Sequence, residues 1–112
     1  MRDSKLRLPL GGLVLSVLLG ANAVYAASGN ATVGKVKSSA CKRCHGTSGM
    51  SKNPKYPNLA GQQELYIIKA LQDYKNGKRN NNTMRSVVSG MSRSTIYDLA
   101  AYYSSIKIKI KK

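Results

Sequence analysis

Cys41-Lys42-Arg43-Cys44-His45 sets two thiols three residues apart, with an imidazole directly after the second. On a helical turn, positions i and i+3 share a face. Both sulfurs then reach one flat group, and His45 points a ring nitrogen at its centre from the same side. The chemistry that uses this C-x-x-C-H pattern is covalent haem attachment: each sulfur forms a thioether with a vinyl group, and the imidazole ligates the iron. Three rivals use part of the pattern. A thioredoxin-like dithiol follows a strand in an alternating βα fold, and no such strand is predicted here. A zinc site needs four ligands, whereas Cys41, Cys44 and His45 are the only Cys or His in the chain. A structural disulfide suits an oxidising compartment, but gives His45 no role. The residues therefore predict one covalent haem c, anchored by Cys41 and Cys44 and ligated by His45.

A low-spin electron carrier needs a second axial ligand, and a second histidine is absent. A Met thioether is the usual choice, and His/Met ligation raises the reduction potential. Of the four methionines, Met1 opens the segment read below as a leader. Met50 stands too soon after His45 for the chain to round the haem edge. Met91 precedes Ser92, the expected N-cap of the last helix, where an apolar residue staples against Ile96. Met84, between a polar loop and a short apolar stretch, has less structural reason for its place. The residues favour Met84 as the distal ligand and leave Met91 as the alternative.

These side chains must be positioned by helices. Ala31 to Arg43 reads as a helix running into the cysteine motif, weakened by Gly34 and Ser38-Ser39. Gly46 to Gly61 has loop composition, and a loop this long in a small domain is usually functional. A second helix is predicted over Gln62 to Lys75, with Leu65, Ile68 and Leu71 on one side and Tyr66, Ala70 and Tyr74 beside them. Asn76-Gly77 stops it. Lys78 to Asn82 is a basic surface loop, and Thr83 to Gly90 a short segment with helical character. The last helix starts near Ser92 and places Ile96, Leu99, Ala100 and Tyr103 on one face. Ile106 to Lys112 alternates Ile with Lys like an edge strand, but lacks a partner strand and is read as a solvated basic tail. No internal repeat appears and nothing marks a second domain, so the expected class is all-α.

Met1 to Arg7 is basic and Leu8 to Leu19 almost wholly apolar. Ala21-Asn22-Ala23 and Val24-Tyr25-Ala26 then offer small residues at cleavage spacing. This reads as a secretory signal peptide over residues 1–26, cleaved after Ala26. Pro9 and Gly11-Gly12 interrupt a run already shorter than the ~20 apolar residues that span a bilayer. Residues 27–112 then form a single domain with a basic C-terminal tail. A chain this short buries a modest core, and it contains no Phe and no Trp. A large apolar prosthetic group supplies the missing buried volume.

The chain carries 19 Lys and Arg against 4 Asp and Glu, a formal charge of +15. The leader removes Arg2, Lys5 and Arg7 against Asp3, a net of two, leaving +13. Such a field speeds encounter with acidic partners and makes association salt-dependent. It equally suits a nucleic acid or an anionic membrane surface. Export argues against nucleic acid, and the aromatic platform expected for single strands is not evident. The basic tail also suits weak contact with a membrane surface.

Several motifs in order resemble the small class I c-type cytochromes of bacteria, and especially the branch whose two-haem members are tandem copies of one such domain. They run from Cys41–Gly46 through Asn53-Pro54-Lys55-Tyr56-Pro57-Asn58-Leu59-Ala60-Gly61-Gln62. They continue with Tyr66, Leu71, Tyr74, Gly77 and Met84, and end with Asp98-Leu99-Ala100-Ala101-Tyr102-Tyr103. The resemblance implies helices packed around one haem, with Met84 as distal ligand and an apolar structural role for Met91. It also implies that the carbonyl of Pro57 accepts the Nδ1–H of His45, orienting the ring and strengthening it as a ligand. First and last helices would cross beside the haem, with Val33, Val36 or Lys37 against Leu99 and Tyr103. Two departures stand out. Ser92-Arg93-Ser94-Thr95 lacks the acidic residues that favour a helix start, and the chain is strongly basic where such proteins are often neutral or acidic.

The function expected is a soluble periplasmic carrier, not an enzyme, that shuttles single electrons between acidic redox proteins. Lys42, Arg43, Lys52, Lys55, Lys78 and Arg79 are candidates to steer them. The alternative is a haem protein with an open distal site that binds small ligands or has peroxidase-like activity.

Overall fold

A computed structural model describes residues 4–5, 9–12 and 28–111. Most of the expected leader lies outside the described residues. Five helices follow in order: α1 (Ala31–Lys37), α2 (Ser39–His45), α3 (Glu64–Lys75), α4 (Asn82–Val88) and α5 (Arg93–Ser105). Among the described residues there is no strand, and no helix is long and apolar enough to cross a membrane. Ile106 to Lys111 is neither helix nor strand.

The single helix expected over Ala31 to Arg43 is two helices. Ser38 is fully buried, and its hydroxyl donates to the Lys35 carbonyl at 2.7 Å. A serine that bonds its own backbone competes with the helix ladder, and the helix breaks there. α2 then restarts with the amides of Cys41 and Lys42 both on the Ser38 carbonyl at 3.0 Å. The break gives the cysteine motif a helix of its own.

α1 crosses α5 at very close range. A Cβ on Gly34 would stand 1.9 Å from the Asp98 carbonyl oxygen, and one on Gly29 would stand 1.9 Å from that of Tyr97. Only glycine permits this approach. Asp98 then clamps the crossing. Its Oδ1 accepts from the Asn30 amide at 2.8 Å, and its Oδ2 from the Lys37 ammonium at 2.9 Å. The same ammonium donates to Thr95 Oγ1 at 3.3 Å. These bonds hold the Asp98 carboxyl below the usual carboxylate range, the Asn30 amide contributing most and Lys37 next. The contact predicted for α1 is therefore corrected. Val33 and Val36 are exposed, while Gly34 and Lys37 meet Thr95, Asp98 and Tyr102.

The buried cluster joins Ile67 and Ile68 of α3 to Ile96, Leu99, Ala100 and Tyr103 of α5, so the face predicted for α5 is the buried one. Leu65 is not on the buried side of α3, being 78% exposed. The stripe centres on Ile67, Ile68 and Leu71, and at 100° per residue Leu65 lies about a third of a turn away from it. Met91 packs against this cluster, which accounts for an apolar residue before the Ser92 cap. The Ser92 hydroxyl accepts from the Thr95 amide at 3.2 Å, so α5 is capped although its first turn holds no acidic residue.

Candidate cofactor site

α2, the loop after it, α3, α4 and α5 enclose one cavity. Cys41, Cys44 and His45 line it from α2, Pro57 and Leu59 from the loop, and Tyr66, Ile67, Ala70 and Leu71 from α3. Met84 and Val87 of α4 and Leu99 and Tyr103 of α5 complete the wall, with Lys55, Tyr74 and Arg79 also lining it. The three residues of the cysteine motif, Pro57 and Met84 are thus brought to one space. Met50 and Met91 are not among its lining.

His45 ends α2 and is 7% exposed. Gly46 follows at φ 86°, where a Cβ would lie 2.0 Å from the Met50 carbonyl oxygen; the turn that frees the histidine needs glycine. His45 Nδ1 lies 2.7 Å from the Pro57 carbonyl oxygen. A carbonyl only accepts, so Nδ1 carries the proton and Nε2 keeps its lone pair for a metal. The Tyr56 ring meets the imidazole edge-on, with centroids 6.3 Å apart.

The loop that presents Pro57 closes on itself. The Gly49 carbonyl accepts from the amides of Leu59 at 2.8 Å and Ala60 at 3.0 Å. The Ser51 amide donates to Asn58 Oδ1 at 2.7 Å. These bonds bracket Pro57 and hold its carbonyl against the histidine. On the other side of the sequence, Asn81 caps α4, its Oδ1 accepting from the Met84 amide at 2.9 Å. Met84 therefore occupies a capped first turn, where its backbone is fixed.

Cys41 is partly covered, and burial pushes its thiol pKa up, while Tyr103, its own amide and Lys42 pull the other way. Tyr103 is 1% exposed. Its hydroxyl lies near Cys41 and Ser38 but has no hydrogen bond of ordinary geometry. Burial above all, and then the Cys41 sulfur, raise its pKa far beyond the usual phenol range. An orphaned hydroxyl is costly in a packed wall. Two thiols at haem spacing, an imidazole with Nε2 free and a thioether from a separate helix make up the donor set of a c-type haem. The residues fit that group.

Fold and site together define a small all-helical domain that takes one covalently bound haem c. The chain belongs to the cytochrome c family, whose pattern matches residues 26–107. It is 38% identical over 100 residues to cytochrome c4 of Pseudomonas aeruginosa, an alignment covering 88% of this chain and 50% of that protein. It is 41% identical over 81 residues to cytochrome c-554(548) of Halomonas halodenitrificans, covering 70% of this chain and 98% of that one. The crystal structure of reduced recombinant cytochrome c4 from Pseudomonas stutzeri superposes with a TM-score of 0.68 at 38% identity, covering 71% of this chain and 47% of that one. The chain spans about half the length of the cytochrome c4 proteins it matches, as one haem domain corresponds to half of a tandem pair. The class I fold expected from the sequence is the fold found.

Sequence reasoning gave Tyr103 only a packing role, left Asn81 in a surface loop and read Tyr56 only as part of the loop motif. Asn81 carried a legible signal, a capping residue three positions before Met84. Tyr103 carried none, because burial of its hydroxyl beside Cys41 depends on how α5 packs on α2.

Proposed function

We propose that this protein is a periplasmic electron carrier, exported by a cleaved leader over residues 1–26, with its haem domain over 27–112. In this reading Cys41 and Cys44 would hold the haem through thioethers, and His45 Nε2 and the Met84 sulfur would ligate its iron. The observation that carries the reading is that all four side chains line a single cavity. When bound, the haem supplies a one-electron ferric/ferrous couple, whose potential His/Met ligation raises.

The chain's own groups do the rest. The Pro57 carbonyl holds the Nδ1 proton of His45, which fixes the ring and makes Nε2 a stronger donor. Leu59, Ile67, Leu71, Val87 and Leu99 line the cavity with apolar surface, which keeps water from the metal and favours the less charged reduced state. With His45 and Met84 both committed to holding the haem, no position on the iron would remain for a substrate, which supports an electron carrier rather than an enzyme. Lys55 and Arg79 stand in the cavity wall, and Lys42, Arg43 and Lys52 line an open hollow beside Cys44. These cations fit an acidic oxidase or reductase.

The test is a potentiometric titration followed by absorbance on protein matured in a host that attaches haem c. The expected outcome is one Nernstian one-electron wave, a weak methionine–iron band at the red end of the ferric spectrum, and no rapid carbon monoxide binding. Rapid carbon monoxide binding without that band would instead establish an open distal site and a ligand-binding or peroxidase-like protein.

A further inference from the structure

The segment after α5 is unlike the rest of the surface. Ile106-Lys107-Ile108-Lys109-Ile110-Lys111-Lys112 holds four lysines and no carboxylate. It leaves the Tyr103 carbonyl, which accepts from the Gly61 amide at 2.9 Å, and runs without regular structure to Lys111. Isoleucine and lysine alternate along it. Ile106 packs against the core, and Ile108 lies over Gly61, within 3.1 Å of where a Cβ would stand. The isoleucines then emerge into solvent: Ile108 is 52% and Ile110 87% exposed. Lys107, Lys109 and Lys111 are exposed, and none takes part in an ion pair among the described residues.

We infer that this segment is an interfacial anchor that docks the domain on an anionic lipid bilayer, Ile110 and the open half of Ile108 entering the headgroup–acyl boundary. The lysine stems reach out to lipid phosphates. Stable anchoring takes two signals, an apolar insertion and a polybasic patch, and both are here within seven residues. Lysines with long apolar stems keep their charge at headgroup level while the stems cover lipid. The composition argues against a folded protein as the occupant. Protein interfaces concentrate Tyr, Trp and Arg in fixed pockets and are depleted in Lys, whereas this segment has no aromatic, no Arg and no side chain that reads direction. A fluid surface of uniform negative charge needs none. The segment passes Gly61, next to Gln62 of the cavity wall, so docking brings the haem end of the domain toward the bilayer.

The test is sedimentation of the haem-loaded full chain with vesicles of phosphatidylcholine alone and with about a third phosphatidylglycerol. The expected result is binding to the anionic vesicles only. Each tail lysine contributes about fivefold, so Lys107→Gln, Lys109→Gln, Lys111→Gln and Lys112→Gln together lower partitioning by roughly 100-fold or more. Ile110→Ser, at an exposed position that leaves the fold intact, lowers it by about fivefold. A charge-matched variant with Lys35→Gln, Lys52→Gln, Lys78→Gln and Arg93→Gln loses far less. The proposal is overturned if that variant loses as much as the tail variant, or if Ile110→Ser binds like the parent. It is also overturned if the tail lysines govern capture by polyglutamate while vesicles are ignored. An unchanged haem spectrum in every variant separates these outcomes from loss of the haem site.

Discussion

Asn81 fixes the backbone from which Met84, the proposed second ligand, projects. The Asn81 cap fixes the first turn of α4, and that turn delivers the Met84 sulfur to the cavity wall. Replacing Met84 by Ala should abolish the methionine–iron band, open the iron to carbon monoxide and lower the potential by a sizeable part of the ~0.8 V that axial ligands span. Met91→Leu should change none of these, since Met91 packs on the core. Absorbance and potentiometry on the two variants check the pair. At this scale the sequence was most informative for the cysteine motif, because covalent attachment demands residues adjacent in the chain. It was less so for Met84, where four methionines compete and only the fold decides which one faces the cavity. Leu65 misled for a related reason: a stripe of period 3.6 can be drawn through several neighbouring residues, and packing selects among them.

The α1–α5 crossing is an element-scale device that the sequence hid behind a helix-weakening glycine. Gly34 costs α1 about 1 kcal/mol of helix propensity relative to Ala, so Gly34→Ala would stabilise an isolated helix. In the protein it should destabilise by about 1–3 kcal/mol or more, because the added Cβ meets the Asp98 carbonyl at 1.9 Å. Denaturant titration of the haem protein reads the sign directly. Asp98 makes the same crossing pH-sensitive. Its pKa is lowered in the folded state, so its stabilising contribution is complete above the unfolded carboxylate pKa of about 3.9. That contribution is lost as pH falls through the folded value. Melting temperatures between neutral pH and pH 3 should therefore fall less steeply for Asp98→Asn, which starts from a lower plateau. An equal acid slope in both proteins would remove Asp98 from this role. The helices themselves were legible from periodicity and caps. The break at Ser38 was not, because it depends on a serine hydroxyl turning back to the Lys35 carbonyl.

Over the whole molecule, charge is the feature that most sets conduct in solution. Residues 28–111 contain three carboxylates, Glu64, Asp73 and Asp98, of which Asp73 and Asp98 are paired with Lys69 and Lys37. The cations around them are largely uncompensated. Electron transfer with an acidic redox protein should slow by about tenfold or more as the screening length shrinks from ~30 Å at 0.01 M salt to ~8 Å at 0.15 M. Stopped-flow rates across that range would show it, and a flat profile would exclude steering. All of this presupposes the haem, whose covalent bond ties the thin core together. The most direct measurement is the intact mass of chain secreted by a host that matures c-type cytochromes. The expected mass is that of the polypeptide plus one haem, the haem being retained after denaturation and acid extraction and absent in Cys41→Ala, Cys44→Ala protein. A mass equal to the polypeptide alone would contradict it.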